Sequence, residues 1–148
     1  MSLASRTEDT HTASSHADGL VTVQLRAPYL IYFGNVPDTG HAKTGLGLIQ
    51  WRREQCAGQL RSPGCKVDGG LTDMSVAEAA RAGVGSIVIG VASEGGSIPD
   101  AWVGDLAEAA RAAGLIVHMD GARLMNAVVA SGVSASDFAA HADSVWID

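Results

Sequence analysis

The chain has 148 residues, of which 47% are hydrophobic and 18% charged, and its formal net charge is −6. This length is typical of one domain, and the composition excludes intrinsic disorder for most of the chain. Nucleic-acid binders present a basic surface, whereas the ten Lys and Arg residues here are scattered. The sequence shows neither a run of the ~20 apolar residues that spans a membrane nor a secretory signal pattern. We therefore expect a cytoplasmic protein without nucleic-acid or membrane partners.

Cys56 and Cys65 are the only cysteines in the sequence. A structural zinc site needs four ligands, and this pair has no second pair to complete such a set. We therefore expect free thiols in a reduced compartment and no metal site.

The first 26 residues differ in composition from the rest of the chain. Between Ser2 and Asp18 the sequence is rich in Ser, Thr, His, Asp and Glu and has almost no large apolar residue. Such a segment buries too little apolar surface to offset the entropy lost on ordering. The composition predicts a disordered leader over residues 1–26 and a single folded domain over residues 27–148.

The folded part begins with a strand–helix–strand pattern. Pro28–Phe33 is a continuous apolar run stopped by Gly34, which is typical of a strand buried on both faces. Thr44–Arg52 has a weak helical pattern interrupted by two glycines, and Gln55–Leu60 is predicted as a second strand.

A second helix has a clear start signal. Ser75 and Glu78 have the spacing of a capping box, in which each side chain bonds to the other residue's backbone N–H. The helix is expected to end at Gly83. The β-branched run Ile87–Val91 then indicates a central parallel strand.

The same alternation continues to the last residues. Pro99 is suited to the first turn of a helix that ends at Gly114. The pattern then predicts a strand over Leu115–Met119, helices over Arg123–Ser131 and Asp137–His141, and a strand from Ser144 to Ile147. Alternating strands and helices predict an α/β fold: a three-layer, Rossmann-like parallel sheet with helices on both faces.

Two segments could carry chemistry. His41–Gly45 has a superficial likeness to a phosphate-binding loop, and Lys43 in it is either a phosphate contact or a surface lysine. His118–Arg123 lies at the carboxyl end of a predicted parallel strand, where ligands bind in open α/β sheets. There Asp120 and Arg123 are either ligand-binding groups or a local helix cap with its paired cation.

The second segment resembles the cofactor strand of threonine aldolases, which are pyridoxal-phosphate enzymes of the β-eliminating lyase group. The resemblance covers about residues 94–148 and is carried by His118–Arg123, Leu124, Asn126, Ala127 and Asp143–Asp148. It implies an amino-acid substrate and a possible homo-oligomer. It also implies that Asp120 bonds the pyridine nitrogen of pyridoxal phosphate and that Arg123 lies near the cofactor and the substrate carboxylate. His118 is a further candidate for cofactor binding, or else a packed strand residue.

One departure from that family concerns the Schiff-base lysine. In threonine aldolases it follows shortly after the segment that matches Asp143–Asp148, and neither Lys43 nor Lys66 has that place. We therefore expect a truncated or fused relative that has no complete catalytic set and is inactive alone.

Residues from about 28 to 101 resemble a second family, the N-terminal Rossmann-like domain of D-glutamate N-acetyltransferase-like proteins. The matching residues include Tyr29–Ile31, Ala42–Thr44, Trp51–Arg52, Cys56, Gly58–Arg61, Pro63–Cys65 and Ile89–Ala92. This resemblance places a boundary between the two parts near residues 94–100. It implies an alternative function in binding an acidic amino acid or assisting acyl transfer, with Lys43, Arg52 and Arg61 as candidate contacts.

Overall fold

The structure is a computed structural model, and it describes residues 22–91 and 100–147. The strands are β1 (Tyr29–Gly34), β2 (Cys56–Arg61), β3 (Ser86–Ile89), β4 (Ile116–Asp120) and β5 (Ser144–Trp146). The α-helices are α1 (Lys43–Arg52), α2 (Val76–Arg81), α3 (Asp100–Ala112), α4 (Leu124–Ser131) and α5 (Ala135–Ala139). Short 3-10 turns at Thr39–His41 and Arg53–Gln55 flank α1.

All five strands form one parallel sheet in the order β2-β1-β3-β4-β5. The predicted α/β fold with a parallel sheet is therefore confirmed, and β3 is its central strand. From β1 the chain goes to β2 on one side, then crosses back over β1 to reach β3 on the other. The winding direction thus reverses between β1 and β3. In open α/β sheets, the crevice at the carboxyl ends of such strands is where ligands bind.

Apolar side chains cover both faces of the sheet. Ile31, Phe33 and Val88 on one face pack with Ile49 of α1. The other face contributes a larger cluster, in which strand residues pack against the remaining helices: Leu30, Tyr32, Ile87, Ile89, Val117, Met119, Ala79, Val103, Ala110, Leu124 and Phe138. The sheet therefore has α1 on one face and α2 to α5 on the other, which is the predicted three-layer arrangement.

Most predicted elements are present with shifted ends. The capping box of α2 is confirmed, since the Ser75 hydroxyl accepts from the Glu78 N–H and the Glu78 carboxylate accepts from the Ser75 N–H. The predicted bounds of α5 were wrong by two residues: the helix spans Ala135–Ala139, because Ser134 is its N-cap and accepts from the Asp137 N–H. Gly132, with φ 74°, ends α4 as expected.

Part of the predicted leader and the predicted helix start at Pro99 lie outside the described residues. Residues 22–26 have no helix or strand. Arg26 nevertheless contacts the domain: its N–H donates to the Ser86 hydroxyl at 2.8 Å and its guanidinium to the Gly114 carbonyl at 3.0 Å. Within the described residues, no helix is long and apolar enough to cross a membrane.

Candidate functional site

A cleft of about 200 Å³ lies at the carboxyl end of the sheet. One wall is formed by Gly40, His41, Lys43 and Thr44, between β1 and the first turn of α1, and another by the end of β4 and the start of α4. Apolar side chains line the interior: Ile89, Val103, Met119, Leu124, Ala127 and Phe138. This combination of an apolar interior and a few polar groups is typical of a site for a small organic ligand.

Among the residues that the structure describes, Asp120 is the acidic residue that lines the cleft. It is the last residue of β4, and its carboxylate is half-buried. One oxygen, Oδ2, accepts a short hydrogen bond from the Thr44 hydroxyl, and Oδ1 accepts from the Ala122 N–H at 3.1 Å. An ionised carboxylate has about four lone-pair positions, so two stay available for a donor on a ligand.

Thr44 reaches Asp120 because α1 approaches the sheet closely at its first turn. The Gly45 N–H lies 3.4 Å from the Gly90 carbonyl oxygen just beyond β3. A Cβ on Gly90 would lie 2.9 Å from the Gly45 nitrogen and 3.2 Å from the Thr44 Cβ. The absence of a side chain at Gly90 therefore allows the contact between α1 and the end of β3 that positions Thr44.

Asp120 does not form the helix cap that was the structural alternative to ligand binding. The N-cap of α4 is Arg123, and it has no side-chain capping bond. Among the described residues, Asp120 and Arg123 form no ion pair within 4.0 Å. The Asp120 carboxylate is fixed by Thr44 and by one backbone amide of its own turn, and it faces a cleft.

Arg123 also lines the cleft, and its side chain is exposed. The structure therefore brings together two of the three residues that the sequence nominated for cofactor binding. Because its guanidinium presents a planar fork of donors, Arg123 is suited to meet an anionic group of a ligand in the cleft.

The third nominated residue, His118, is outside the cleft lining. It precedes Asp120 by two positions on β4, and its Nδ1 lies 2.9 Å from the Ser144 hydroxyl of the neighbouring strand. Burial lowers the pKa of His118 from its ordinary value of 6.5, while the nearby Asp120 charge opposes that shift. The imidazole thus connects β4 to β5, and its burial favours the neutral form.

We expect this histidine to make the fold acid-sensitive in the pH window just below its ordinary pKa of 6.5. The pKa of His118 is lower in the folded chain than in the unfolded chain, so the unfolded chain is protonated first as the pH falls. The free energy of unfolding therefore decreases as the pH drops through 6.5. The carboxylates with lowered pKa values, such as Glu78, titrate below this window. Thermal unfolding of His118→Gln, which keeps a hydrogen-bonding side chain, should depend less on pH across the window. An unchanged pH dependence would contradict the assignment.

The three residues proposed as contacts for the alternative function do not line one common cleft. Lys43 lines the cleft, but Arg52 and Arg61 do not. Arg61 is held by Asp73 through two hydrogen bonds of 2.7 and 2.5 Å and by Asp68 at 3.3 Å. These bonds raise the pKa of Arg61 and lower that of Asp73. Arg61 therefore joins β2 to the segment that follows it and is already paired.

Sequence reasoning missed Thr44, His41 and Gly90 as cleft residues. His41 is hydrogen-bonded through Nδ1 to Asp38 at 2.9 Å, which lowers the pKa of that carboxyl. The sequence did contain one signal, the likeness of His41–Gly45 to a phosphate-binding loop. This likeness pointed to the segment that forms one wall of the cleft. That signal could not show that Thr44 contacts Asp120, since the two residues are 76 positions apart.

Comparison with known proteins adds a family to this geometry. The model of the family described as beta-eliminating lyase matches residues 66–148, which is more than half of the chain. The chain belongs to the beta-eliminating lyase family. The match includes Asp120, Arg123 and His118, and it begins well before residue 94, where the predicted resemblance started.

This family member is also similar to two curated proteins named D-glutamate N-acetyltransferase. The protein from Tritonibacter scottomollicae is 42% identical over 78 residues, covering 53% of this chain and 23% of that relative. The protein from a Pseudoalteromonas species is 37% identical over 87 residues, covering 59% of this chain and 26% of that relative. The chain thus spans about a quarter of the length of each. Both resemblances expected from the sequence are confirmed at family level, the first of them to beta-eliminating lyases.

Proposed function

We propose that this beta-eliminating lyase family member binds pyridoxal phosphate in the cleft, as a relative of threonine aldolases that act on amino acids. One observation carries the proposal. The carboxylate that the family resemblance pairs with the pyridine nitrogen, Asp120, lines a ligand-sized cleft at the carboxyl end of the sheet.

The residues present fit such a group. The apolar interior of the cleft suits an aromatic ring, and the half-buried Asp120 carboxylate supplies an acceptor for a protonated ring nitrogen. Pyridoxal phosphate, when bound, supplies an electron sink for a substrate carbanion. Asp120 would keep the ring nitrogen protonated, and Arg123 would meet a substrate carboxylate.

Thr44 would act on the cofactor through Asp120. Its hydroxyl donates to Oδ2, and the Ala122 N–H donates to Oδ1, so the carboxylate is oriented before a ligand enters. A carboxylate fixed in this way loses little side-chain entropy on binding. Thr44 is accordingly a positioning residue for the proposed site.

The test is a titration of the purified chain with pyridoxal phosphate, followed by thermal unfolding and calorimetry. A ligand that binds only the folded state stabilises it by ~2.7 kcal/mol at 100 times its Kd, so the unfolding temperature should rise with concentration. Pyridoxine 5′-phosphate is titrated in parallel, since it has no aldehyde and cannot modify lysines. If neither compound binds or changes the unfolding temperature, the proposal fails.

A second function is favoured by the similarity to proteins named D-glutamate N-acetyltransferase. In this alternative, the cleft holds an acidic amino acid with a carboxylate near Lys43, and the chain assists acyl transfer rather than lyase chemistry. Arg61 would have no part in it, because Asp73 and Asp68 already pair with its guanidinium.

Thermal unfolding with D-glutamate, L-glutamate and acetyl-CoA separates the two functions. Stabilisation by glutamate or acetyl-CoA, without any by pyridoxal phosphate, supports the second. Stabilisation by pyridoxal phosphate alone supports the first.

A further inference from the structure

The two described walls of the cleft differ in their ionisable groups. The wall at the end of β4 carries the Asp120 carboxylate together with the Arg123 guanidinium, whereas the wall from Gly40 to Thr44 carries Lys43 and no acidic side chain that lines the cleft. A ligand with a protonated nitrogen at one end and an anionic group at the other would therefore match both walls.

Lys43 is the available cation of its wall. Its side chain is exposed, and within the described part of the chain it has no ion-pair partner within 4.0 Å. The neighbouring His41 already bonds Asp38 through Nδ1, which reduces its capacity for a ligand. The backbone has the same polarity: α1 begins at Lys43 without a side-chain cap and without an acidic residue in its first turn, although the Gly45 N–H of that turn already bonds the Gly90 carbonyl oxygen.

Lys43 and Asp120 are linked through Thr44. Lys43 directly precedes Thr44, so their Cα atoms are ~3.8 Å apart, and Thr44 donates its hydroxyl proton to the Asp120 carboxylate. A lysine side chain at this place can reach a ligand whose other end is held by Asp120, provided that the ligand is small.

We propose that Lys43 is the main contact of an anion subsite of the cleft, and that this subsite takes a terminal phosphomonoester. The inference rests on the proposed function and extends it, because it assigns the phosphate of the ligand to a segment outside the family match at residues 66–148. Phosphate is favoured over a carboxylate because its greater charge interacts more strongly with a single ammonium group and a helix N-terminus.

The experiment compares pyridoxine 5′-phosphate with pyridoxine by calorimetry, since the two differ only in the phosphate and neither forms an imine with lysine. The variants are Lys43→Gln and Lys66→Gln, which remove the same charge from exposed positions. Lys66 is outside the cleft lining and serves as the matched control.

We expect Lys43→Gln to weaken pyridoxine 5′-phosphate binding about tenfold, as for loss of a charged hydrogen bond, and to leave pyridoxine binding within about twofold. Lys66→Gln should change neither. Added salt should reduce the preference of the unmodified chain for the phosphorylated compound.

Three results would overturn the subsite. The first is equal weakening of both compounds by Lys43→Gln, and the second is no effect of that variant on the phosphorylated compound. The third is equal affinity of the unmodified chain for both compounds, which rejects the subsite and leaves the proposed ring site intact. Failure of both compounds to bind rejects the proposed function and the subsite together.

Discussion

Asp120→Asn is expected to weaken binding of pyridoxal phosphate by about 10- to 100-fold. The substitution keeps the shape of the side chain and an oxygen that can accept from Thr44, but it removes the charge that would pair with a protonated ring nitrogen. A hydrogen bond to a charged group contributes ~1.5–3 kcal/mol, which corresponds to that range of affinity. Calorimetric titration of both chains measures it directly.

Asp105→Asn is the matched control for this variant. Asp105 is an exposed acidic residue of α3 outside the cleft lining, so its loss changes the net charge equally. Its affinity for pyridoxal phosphate should stay within about twofold, the small change expected of a screened surface charge. If Asp120→Asn binds as well as Asp105→Asn, the cleft holds the cofactor in some other way or does not hold it.

Gly90→Ala is expected to destabilise the fold by ~1–3 kcal/mol, the usual cost of overpacking, and to weaken ligand binding as well. The added Cβ would lie 2.9 Å from the Gly45 nitrogen, a backbone atom that cannot rotate away. Relief of that contact moves the first turn of α1 away from β3 and takes Thr44 with it. Chemical denaturation measures the first effect and titration the second.

Gly47→Ala is the control variant, and we expect it to change the stability of the fold in the opposite direction. Gly47 lies in the same helix, and a Cβ there meets no atom within 4 Å. Alanine is favoured over glycine inside a helix by up to ~1 kcal/mol, so this variant should be more stable than the unmodified chain. A Gly90→Ala chain as stable as Gly47→Ala would show that the approach of α1 to β3 is not tight.

The strands of the sheet could be predicted because each of them corresponds to a short local pattern in the sequence. Ile87–Val91 and Leu115–Met119 are short apolar or β-branched runs, and their ends were wrong by only one or two residues. The start of α2 was equally clear, because Ser75 and Glu78 satisfy each other's backbone amides within one turn. Such signals depend on neighbours in the sequence alone.

Helix α1 had a weak helical pattern in the sequence, and the structure shows the reason. Gly45 interrupts its apolar pattern, but a Cβ there would lie 2.9 Å from Ile31 and Phe33 of β1. The glycine permits close packing of helix on strand, which a search for apolar periodicity interprets as a break. Tertiary contact thus overrides local propensity at this position.

The contact between Thr44 and Asp120 could not be predicted at all. It depends on the strand order, which places the segment after β1 beside the end of β4 although the two are distant in the chain. Residue patterns specify that each strand is parallel and buried, but they do not specify which strands are neighbours. The sequence therefore identified Asp120 and Arg123 without the wall that completes the cleft.

The turn that carries Asp120 is hydrogen-bonded to β5, the strand at one edge of the sheet. The Gly121 N–H donates to the Trp146 carbonyl oxygen of β5 at 2.7 Å, and a Cβ on Gly121 would lie 2.6 Å from that oxygen. Outer strands open to solvent more often than central ones, and each opening would release this amide to exchange with deuterium. The exchange rate of the Gly121 amide therefore reports how firmly the turn that carries the Asp120 carboxylate is held against β5. A ligand seated on Asp120 should slow exchange along β5, although no residue of that strand touches the cleft.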